Sequence, residues 1–293
     1  MFADWFSVAV YSRWHEVPRE DTLVRLIVSL LLSSVALLSP ANVFGEEGFF
    51  NSGGVRIRYL DVGSGEPVIL VHGQGNRLEI WDDTGILRAL AKDRRVIALD
   101  LRGHGQSDKP HEPAAYGPQM GQDIIRLMDH LKILSAHIVA YSAGCSVTVK
   151  LLTTNPERFV SAVLIAGSGR RLPDWTPAEE ETDEAQAREL ERSAQSTNDP
   201  LALAAMVRAR RTLVITEAQV EAMRLPILAI VGTADSNFAG VQQFKQQKPS
   251  IEMLTVQGAT HGSPGDPRAI LRQPETRDSL RTFLTAHAHD AIR

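Results

Sequence analysis

The chain of 293 residues contains a single cysteine, Cys145, so no disulfide can form within it. A zinc site that depends on several cysteine ligands is excluded for the same reason. Basic residues are not in excess either, because 31 Lys and Arg stand against 35 Asp and Glu and the formal net charge is −4. Nucleic-acid-binding domains carry a basic patch or stripe, so we expect no nucleic-acid partner.

Sequence motifs for nucleotides and metals are missing as well. The chain contains no G-x-G-x-x-G and no G-x-x-x-x-G-K-[ST], and its 9 histidines form no H-E-x-x-H. We therefore predict no metal ion and no cofactor. The remaining composition, with 43% hydrophobic and 23% charged residues, is that of an ordinary packed globule and excludes collagen-like, disordered and coiled-coil proteins.

An uncharged apolar run extends from Leu26 to Leu38 near the amino end. As a helix it rises roughly 20 Å, which is short of the ~30 Å hydrocarbon core of a membrane. This length favours the h-region of a signal peptide, with cleavage after Ala41; an uncleaved membrane anchor and a buried helix are the alternatives. We expect residues 1–45 to be a leader, and the protein to be exported or membrane-anchored through residues 26–38 rather than cytoplasmic.

The 25 residues before this run are not typical of a signal peptide, because they carry four acidic residues against three arginines. The n-region of a signal peptide is short and positively charged. The pattern indicates that Met1 lies too far upstream to be the true start of the signal peptide.

Beyond the leader, short apolar runs alternate with amphipathic stretches. The runs, read as strands, are residues 55–62, 68–72, 96–99, 137–140, 160–166, 227–231 and 252–256. The amphipathic stretches, read as helices, are residues 80–91, 119–132, 143–154, 238–247 and 274–287. Near-continuous apolar strands are typical of a sheet buried on both faces. The alternation predicts an α/β fold with a doubly wound, mostly parallel sheet in residues 46–293.

One interval breaks this alternation. No comparable strand occurs from Gly167 to Leu225, and the segment is rich in Ala, Glu, Arg and Leu. We interpret about residues 168–225 as a helical insertion that forms a small cap. The arginine cluster at residues 208–211 within it is interpreted as a solvent-exposed face.

Functional residue types collect directly after the predicted strands, where ligands bind in open α/β sheets. The most informative segment is Ala140-Tyr141-Ser142-Ala143-Gly144, which a strand enters and a helix leaves. It resembles the nucleophile elbow of the α/β-hydrolase fold family, whose pattern is G-x-S-x-G. Ala140 replaces the first glycine, and Cys145 stands where many relatives have another small residue.

Two later residues continue this resemblance. Asp235 follows the strand at 227–231 and His261 follows the strand at 252–256, which is the family's order of serine, acid and histidine. The loop after residue 166, the alternative place for the acid, contains no carboxylate. The segments HGQG from His72 and DLRGHGQSD from Asp100 are also similar to those of this family.

The resemblance, which covers about residue 55 to the end, implies hydrolysis of a carboxylic ester through an acyl-enzyme. Ser142 would be the nucleophile, His261 its base, and Asp235 the group that orients the histidine. The backbone N–H groups of Gln74 and Ala143 would form the oxyanion hole. A serine nucleophile argues against haloalkane dehalogenases and epoxide hydrolases, which resemble this architecture but use aspartate there.

Other chemistries of the Ser-His-Asp triad stay open. They are those of a thioesterase, lactonase, amidase, C–C hydrolase, acyltransferase or perhydrolase. A non-catalytic binding member of the fold is the alternative from another class. The expected partner is a small-molecule acyl substrate, membrane contact is expected only through residues 26–38, and the sequence does not indicate an oligomeric state.

Several nearby side chains have two interpretations. Trp81, Tyr141 and Phe238 are candidates for lining the substrate pocket, and core packing is the alternative for Trp81 and Phe238. His72 and His104 are interpreted as braces of their loops rather than catalytic groups.

Overall fold

An eight-stranded sheet organises the chain in the computed structural model, which describes residues 45–169, 176–193, 198–262 and 265–288. The predicted leader and its apolar run at residues 26–38 lie outside the described residues. The strands are β1 (Glu46–Ser52), β2 (Val55–Gly63), β3 (Pro67–Val71), β4 (Arg95–Leu99), β5 (Ala136–Tyr141), β6 (Phe159–Ile165), β7 (Ile227–Gly232) and β8 (Glu252–Val256).

Helices follow or separate most of these strands. They are α1 (Ile80–Asp83), α2 (Ile86–Leu90), α3 (Pro118–His130), α4 (Ala143–Thr154), α5 (Pro177–Arg192), α6 (Pro200–Ala209), α7 (Glu217–Ala222), α8 (Phe238–Gln247) and α9 (Pro274–Ala286). Short 3-10 turns lie at Pro113–Ala115, Pro156–Arg158, Arg210–Leu213 and Ile270–Arg272. None of the helices in the described ranges combines the length and apolar character that a membrane crossing requires.

The strand order is β1-β2-β4-β3-β5-β6-β7-β8. The pairs β1–β2 and β2–β4 are antiparallel, and all later pairs are parallel. This confirms the predicted doubly wound, mostly parallel sheet. Because β3, β5, β6, β7 and β8 run the same way, their carboxyl ends meet at one edge, where such sheets bind ligands.

Both faces of the sheet are buried. Within β3, Ile69 and Val71 belong to one apolar cluster, whereas Val68 and Leu70 belong to the cluster on the opposite face. The four side chains are fully inaccessible to solvent. Each buried aliphatic side chain contributes about 1.5–3 kcal/mol, which explains why the central strands read as continuous apolar runs rather than alternating ones.

Two local features differ from the prediction. Strand β1 was not predicted, since its sequence EEGFFNS has no apolar run and it lies at the sheet edge. The signal that could have found it is Gly53-Gly54, a two-residue hairpin turn with φ of 63° and 93°. The predicted helix at 80–91 is broken at Gly85, whose φ of 76° is incompatible with a continuous helix.

Between β6 and β7, the described residues include helices α5, α6 and α7. Helix α5 begins with a capping box, in which Thr176 and Glu179 satisfy each other's backbone N–H groups. Ala187 of α5 packs against Ala204 and Val207 of α6. Ion pairs from Arg208 to Glu184 and Glu191 hold the two helices together at their more exposed face.

Candidate active site

Ser142 occupies the sharp turn between β5 and α4. Its backbone has φ of 54° and ψ of −122°, a region that is strained for any residue with a side chain. Such strain is maintained only where the surrounding structure fixes the turn, and it is concentrated at functional sites. The turn lifts the serine side chain out of the sheet edge and leaves it partly accessible.

The small residues around Ser142 have a steric reason. A Cβ on Gly144 would lie 2.6 Å from the His72 carbonyl oxygen and 2.7 Å from that of Val71, so α4 could not approach β3. A Cβ on Gly73 would lie 2.8 Å from the Ser142 Cβ. Glycine at position 73 therefore allows the loop after β3 to reach the serine.

Three side chains predicted to act together form one hydrogen-bonded series. The Ser142 Oγ lies 2.8 Å from His261 Nε2, and His261 Nδ1 lies 3.0 Å from Asp235 Oδ2. Asp235 follows β7 and its carboxylate is fully buried, while the His261 side chain is 31% exposed. The arrangement can deprotonate the serine hydroxyl and stabilise the imidazolium that results.

Asp235 is fixed by its own loop. Its Oδ1 accepts a hydrogen bond of 2.8 Å from the Asn237 backbone N–H. Two carboxylates elsewhere in the chain have other partners: Asp123 binds Arg102 at 2.6 Å, and Asp108 accepts the Arg56 backbone N–H at 2.7 Å. Asp235 is thus the carboxylate that the fold presents to His261.

The predicted oxyanion donors flank the serine. Gln74 and Ala143 both line the cavity that contains Ser142. The N–H of Ala143, the first residue of α4, and the N–H of Gln74 have no acceptor among the residues that the structure describes. Unpaired backbone donors at a helix start are suited to a developing negative charge.

His72 braces the loop after β3, which contains Gln74. Its Nε2 accepts the Leu101 N–H at 3.1 Å, so the proton is on Nδ1, which donates to the Gly73 carbonyl at 2.8 Å. Complete burial lowers the pKa of His72 to about 4. The ring therefore stays neutral and keeps both hydrogen bonds at neutral pH. His104 packs against it at a ring distance of 5.1 Å, and burial lowers the pKa of His104 to about 3.

These pKa values predict a loss of stability in acid. Between pH 6.5 and 4 the unfolded chain protonates His72 and the folded chain does not, so the free energy of unfolding falls as the pH falls. The loss from His72 alone reaches about 3 kcal/mol. Urea unfolding at about pH 7 and about pH 4.5 measures it. His72→Gln is expected to show a smaller pH dependence than the wild-type protein, and equal dependence in the two proteins would contradict the assignment.

Tyr141 has a contact that the sequence could not indicate. Its hydroxyl donates a 2.7 Å hydrogen bond to the His261 backbone carbonyl, and its ring stacks on the imidazole with 5.3 Å between centroids. Burial raises the pKa of Tyr141, so the phenol remains a donor. Tyr141 also lines a cavity beside Ser142, in line with the predicted pocket position. Its contacts fix the backbone that carries the histidine.

Tyr141→Phe is expected to lower kcat about tenfold with little change in KM, because His261 loses a positioning contact without loss of substrate contacts. Tyr116→Phe is the matched control, since the Tyr116 hydroxyl likewise donates to a backbone carbonyl, that of Pro110, at 2.6 Å. Both variants should lose about 1 kcal/mol of stability. Steady-state kinetics and thermal unfolding of the pair separate positioning from stability, and an equal loss of kcat in both would refute the positioning role.

The other two pocket candidates require correction. Trp81 is fully buried in the apolar cluster of Leu78, Ile86 and Leu90, and lines neither cavity beside Ser142. Phe238 packs partly buried against the core on the other face and also lines neither. Both side chains pack in the core, which is the alternative interpretation that the sequence offers for them. Cys145 is buried behind the elbow, and burial raises the pKa of its thiol, so it stays protonated.

Two cavities meet at Ser142. The insertion-side cavity, of about 700 Å³, is lined by Ser142, Ala143 and Ser146 of the elbow and by Gln186 and Arg210 of the helical insertion. The histidine-side cavity, of about 830 Å³, is lined by Ser142, Tyr141, His261 and Arg272. The serine is therefore accessible from two sides. Several residues of the insertion line the first cavity, and Asn198 of the insertion lines the second.

The Arg210 side chain is more buried than its interpretation as part of a solvent-exposed cluster predicts. Its side chain is 18% exposed and pairs with Asp183 of α5 at 3.0 Å. The same guanidinium donates to Gln186 Oε1 at 2.7 Å and to the side-chain oxygen of Gln74. Arg210 thus connects the insertion to the loop that contains Gln74. Arg208 and Arg211 pair with glutamates at the more exposed face of the insertion, which is closer to the predicted solvent-exposed position.

No group of three or more His, Cys, Asp or Glu side chains in the described ranges is arranged to hold a metal ion.

Comparison with known proteins identifies the family to which this sheet and the Ser–His–Asp series belong. A family model described as alpha/beta hydrolase fold matches residues 66–261, more than half of the chain. The strand order, the strained serine turn and the Ser–His–Asp series together define this class. The chain belongs to the alpha/beta hydrolase fold family.

Individual relatives match only part of the chain. It is 39% identical over 119 residues to the dihydrolipoyllysine-residue acetyltransferase component of the acetoin cleaving system of Pseudomonas putida, covering 40% of this chain and 31% of that protein. It is 46% identical over 129 residues to 2-hydroxy-6-oxo-6-(2'-aminophenyl)hexa-2,4-dienoic acid hydrolase of Metapseudomonas resinovorans, covering 42% of each. The chain thus spans less than half the length of these curated relatives.

A solved structure shows the same fold over most of the chain. It is a thermophilic esterase from Thermogutta terrifontis, with a TM-score of 0.70 and 21% identity over 83% of this chain and 99% of that one. At this identity the likeness shows the fold alone.

Proposed function

We propose that the protein is a serine hydrolase that cleaves a carboxylic ester through an acyl-enzyme on Ser142. The observation that carries the proposal is the 2.8 Å contact between Ser142 Oγ and His261 Nε2, in a strained turn open to two cavities. Family membership alone leaves the activity open, because one fold supports many chemistries.

The geometry supports a two-step reaction. His261 Nε2 takes the hydroxyl proton as Ser142 Oγ attacks the ester carbonyl, and the carbonyl oxygen, now negative, accepts from the Gln74 and Ala143 N–H groups. Collapse of this intermediate breaks the ester bond, and the alcohol leaves with the proton from His261. A water molecule then gives its proton to His261 and attacks the acyl-enzyme carbonyl. Collapse of this second intermediate breaks the bond to Ser142 Oγ, which takes the proton back from His261, and the acid leaves.

Asp235 acts through His261 in both steps. It accepts the Nδ1–H, which places the free electron pair of the imidazole on Nε2, toward Ser142. Its negative charge also stabilises the imidazolium formed in each tetrahedral intermediate. The buried carboxylate needs no rearrangement during the reaction, because Asn237 already holds it.

A fluorophosphonate probe tests the proposal and separates it from a non-catalytic binding role. We expect wild-type protein to be labelled covalently at Ser142, and Ser142→Ala to remain unlabelled. Absence of labelling in the wild-type protein, with the fold intact by circular dichroism, would favour the binding role.

The same Ser–His–Asp series could also catalyse the other triad reactions that the sequence leaves open. The relatives named above, an acetyltransferase component and a dienoic acid hydrolase, keep acyl transfer and C–C bond hydrolysis among them. A screen of esters, thioesters, lactones and dienoic acids, each with Ser142→Ala as its blank, identifies the bond that is cleaved. The ester proposal is rejected if another substrate class exceeds all esters in kcat/KM.

We further propose that about residues 168–225 act as a cap over Ser142. The support is that Gln186 of α5 and Arg210, from the turn after α6, line the insertion-side cavity. A cap of this kind excludes water from the attack step and selects the acyl group by shape and polarity.

Export, or anchoring through residues 26–38, is proposed from the sequence alone. A truncated chain that begins at Glu46 is expected to be soluble and as active as the full chain, since β1 begins there. Activity and sedimentation of both forms test this. Aggregation and loss of activity in the truncated chain alone would show that the leader contributes to the fold, and the export proposal would then be rejected.

A further inference from the structure

The position of His261 indicates which cavity holds the acyl half of an ester and which holds the leaving alcohol. The leaving alcohol receives its proton from His261 Nε2, so it must depart on the side where this ring is exposed. His261 lines the histidine-side cavity and does not line the insertion-side cavity, whereas Ala143 lines only the latter. The acyl half of the substrate therefore occupies the insertion-side cavity.

The surface of the insertion-side cavity is polar. Its apolar lining residues are largely hidden, because Met120, Val147, Met206 and Leu213 are each at most 5% exposed. The side chains that present surface to the cavity include Ser146, Gln186, Asn237 and Gln243.

Some of these polar groups are available to a substrate. The Gln243 amide and the Ser146 hydroxyl have no hydrogen-bond partner within the part of the chain that the structure describes. An alkyl chain would remove them from water without replacing their hydrogen bonds, which is unfavourable. An acyl group with its own polar atoms restores those hydrogen bonds.

The charges of this cavity disfavour an anionic acyl group. Among its described lining residues, Arg210 is the one cation. Both terminal nitrogens of Arg210 are already hydrogen-bonded, and Asp183 at 3.0 Å compensates its charge. Glu179 adds a carboxylate to the same wall. Among the described lining residues, a substrate carboxylate would therefore find no uncompensated positive charge.

We infer that the enzyme selects esters whose acyl half is uncharged and polar, such as ether- or hydroxyl-bearing short acyl groups, over alkyl and anionic acyl groups. This inference rests on the proposed function and adds to it the class of substrate.

Three 4-nitrophenyl esters with acyl chains of equal length test the inference. The butyrate is the alkyl reference, the methoxyacetate replaces one methylene with an ether oxygen, and the hemisuccinate replaces the terminal methyl with a carboxylate. The rate of enzyme-free hydrolysis is subtracted for each ester, because the hemisuccinate carboxylate attacks its own ester carbonyl. Each kcat/KM is then divided by the second-order rate constant for hydrolysis of the same ester by hydroxide. We expect the methoxyacetate to exceed the butyrate about fivefold, the effect of one neutral hydrogen bond. We expect the hemisuccinate to fall at least about tenfold below the butyrate.

Two neighbouring glutamines provide a matched pair of variants. Gln242 and Gln243 are both exposed on the same helix, but only Gln243 lines the cavity. Gln243→Leu is expected to reduce the ratio of methoxyacetate to butyrate at least threefold, because the cavity loses a hydrogen-bonding amide. Gln242→Leu is expected to leave the ratio at its wild-type value. Circular dichroism of both variants checks that they fold.

Failure of the inference can be distinguished from failure of the proposed function. A butyrate or hemisuccinate rate equal to or above that of the methoxyacetate, or an unchanged ratio in Gln243→Leu, overturns the inference. If Ser142 is still labelled by the fluorophosphonate, the proposed function stands. If Ser142 is not labelled and no ester is cleaved, both are overturned.

Discussion

Ser142→Ala is expected to lower kcat/KM for an activated ester by more than about a thousandfold. The substitution deletes the one oxygen that attacks the substrate, and residual hydrolysis can then come only from the oxyanion donors and binding. The fold should be unaffected, because alanine keeps the Cβ that the turn already accommodates at φ of 54°. Steady-state kinetics with a 4-nitrophenyl ester measures the loss.

Ser250→Ala is the matched control for this variant. It also removes one hydroxyl oxygen, but Ser250 is exposed and follows α8, away from both cavities. Its activity should remain within about twofold of wild type. Ser142→Ala activity above about a thousandth of wild type would show that Ser142 is not the nucleophile.

Asp235→Asn is expected to lower kcat by about 10⁴, the effect of the equivalent change in a serine protease, which is milder than the loss of about 10⁶ when such an enzyme loses its serine. The Asn237 N–H requires an acceptor at the Oδ1 position. The new amide oxygen therefore stays there, and the amide NH₂ takes the place of Oδ2, which lies 3.0 Å from His261 Nδ1. His261 must then accept at Nδ1 and carry its proton on Nε2, where it cannot act as the base for Ser142.

Asp108→Asn provides the comparison, since Asp108 is another carboxylate after a strand, yet it binds the Arg56 backbone rather than His261. It should change kcat less than about tenfold. Near-wild-type kcat in Asp235→Asn would mean that another carboxylate serves His261, with Asp108 and Asp123 the next to examine. Comparison of kcat for the two variants on one ester decides between these outcomes.

The features that could be predicted from the sequence are those set by local pattern and chain order. The apolar runs of β3, β5 and β7 reflect burial on both sheet faces, so they are visible without tertiary information. Ser142, Asp235 and His261 come shortly after the ends of β5, β7 and β8, respectively. Because parallel strands end at one edge, their proximity follows from the topology once the strands are known.

What could not be predicted depends on contacts between distant segments. The Tyr141 hydroxyl reaches the His261 carbonyl across 120 positions, and Arg210 reaches Gln74 across 136. Neither residue has a local pattern that shows its partner. Trp81 was ambiguous for a related reason, since an aromatic residue after a loop can face either a pocket or the core. Strand β1 was missed because an edge strand needs no buried apolar run.

The central claim is that a substrate acylates Ser142, and rapid chemical quench with mass spectrometry tests it directly. Wild-type protein is mixed with 4-nitrophenyl butyrate, quenched in acid within the first turnovers, and digested. The account predicts one butyryl group on the peptide that contains Ser142, with none in Ser142→Ala. A butyryl group on another residue, or butyrylation of the same peptide in Ser142→Ala, would contradict the account.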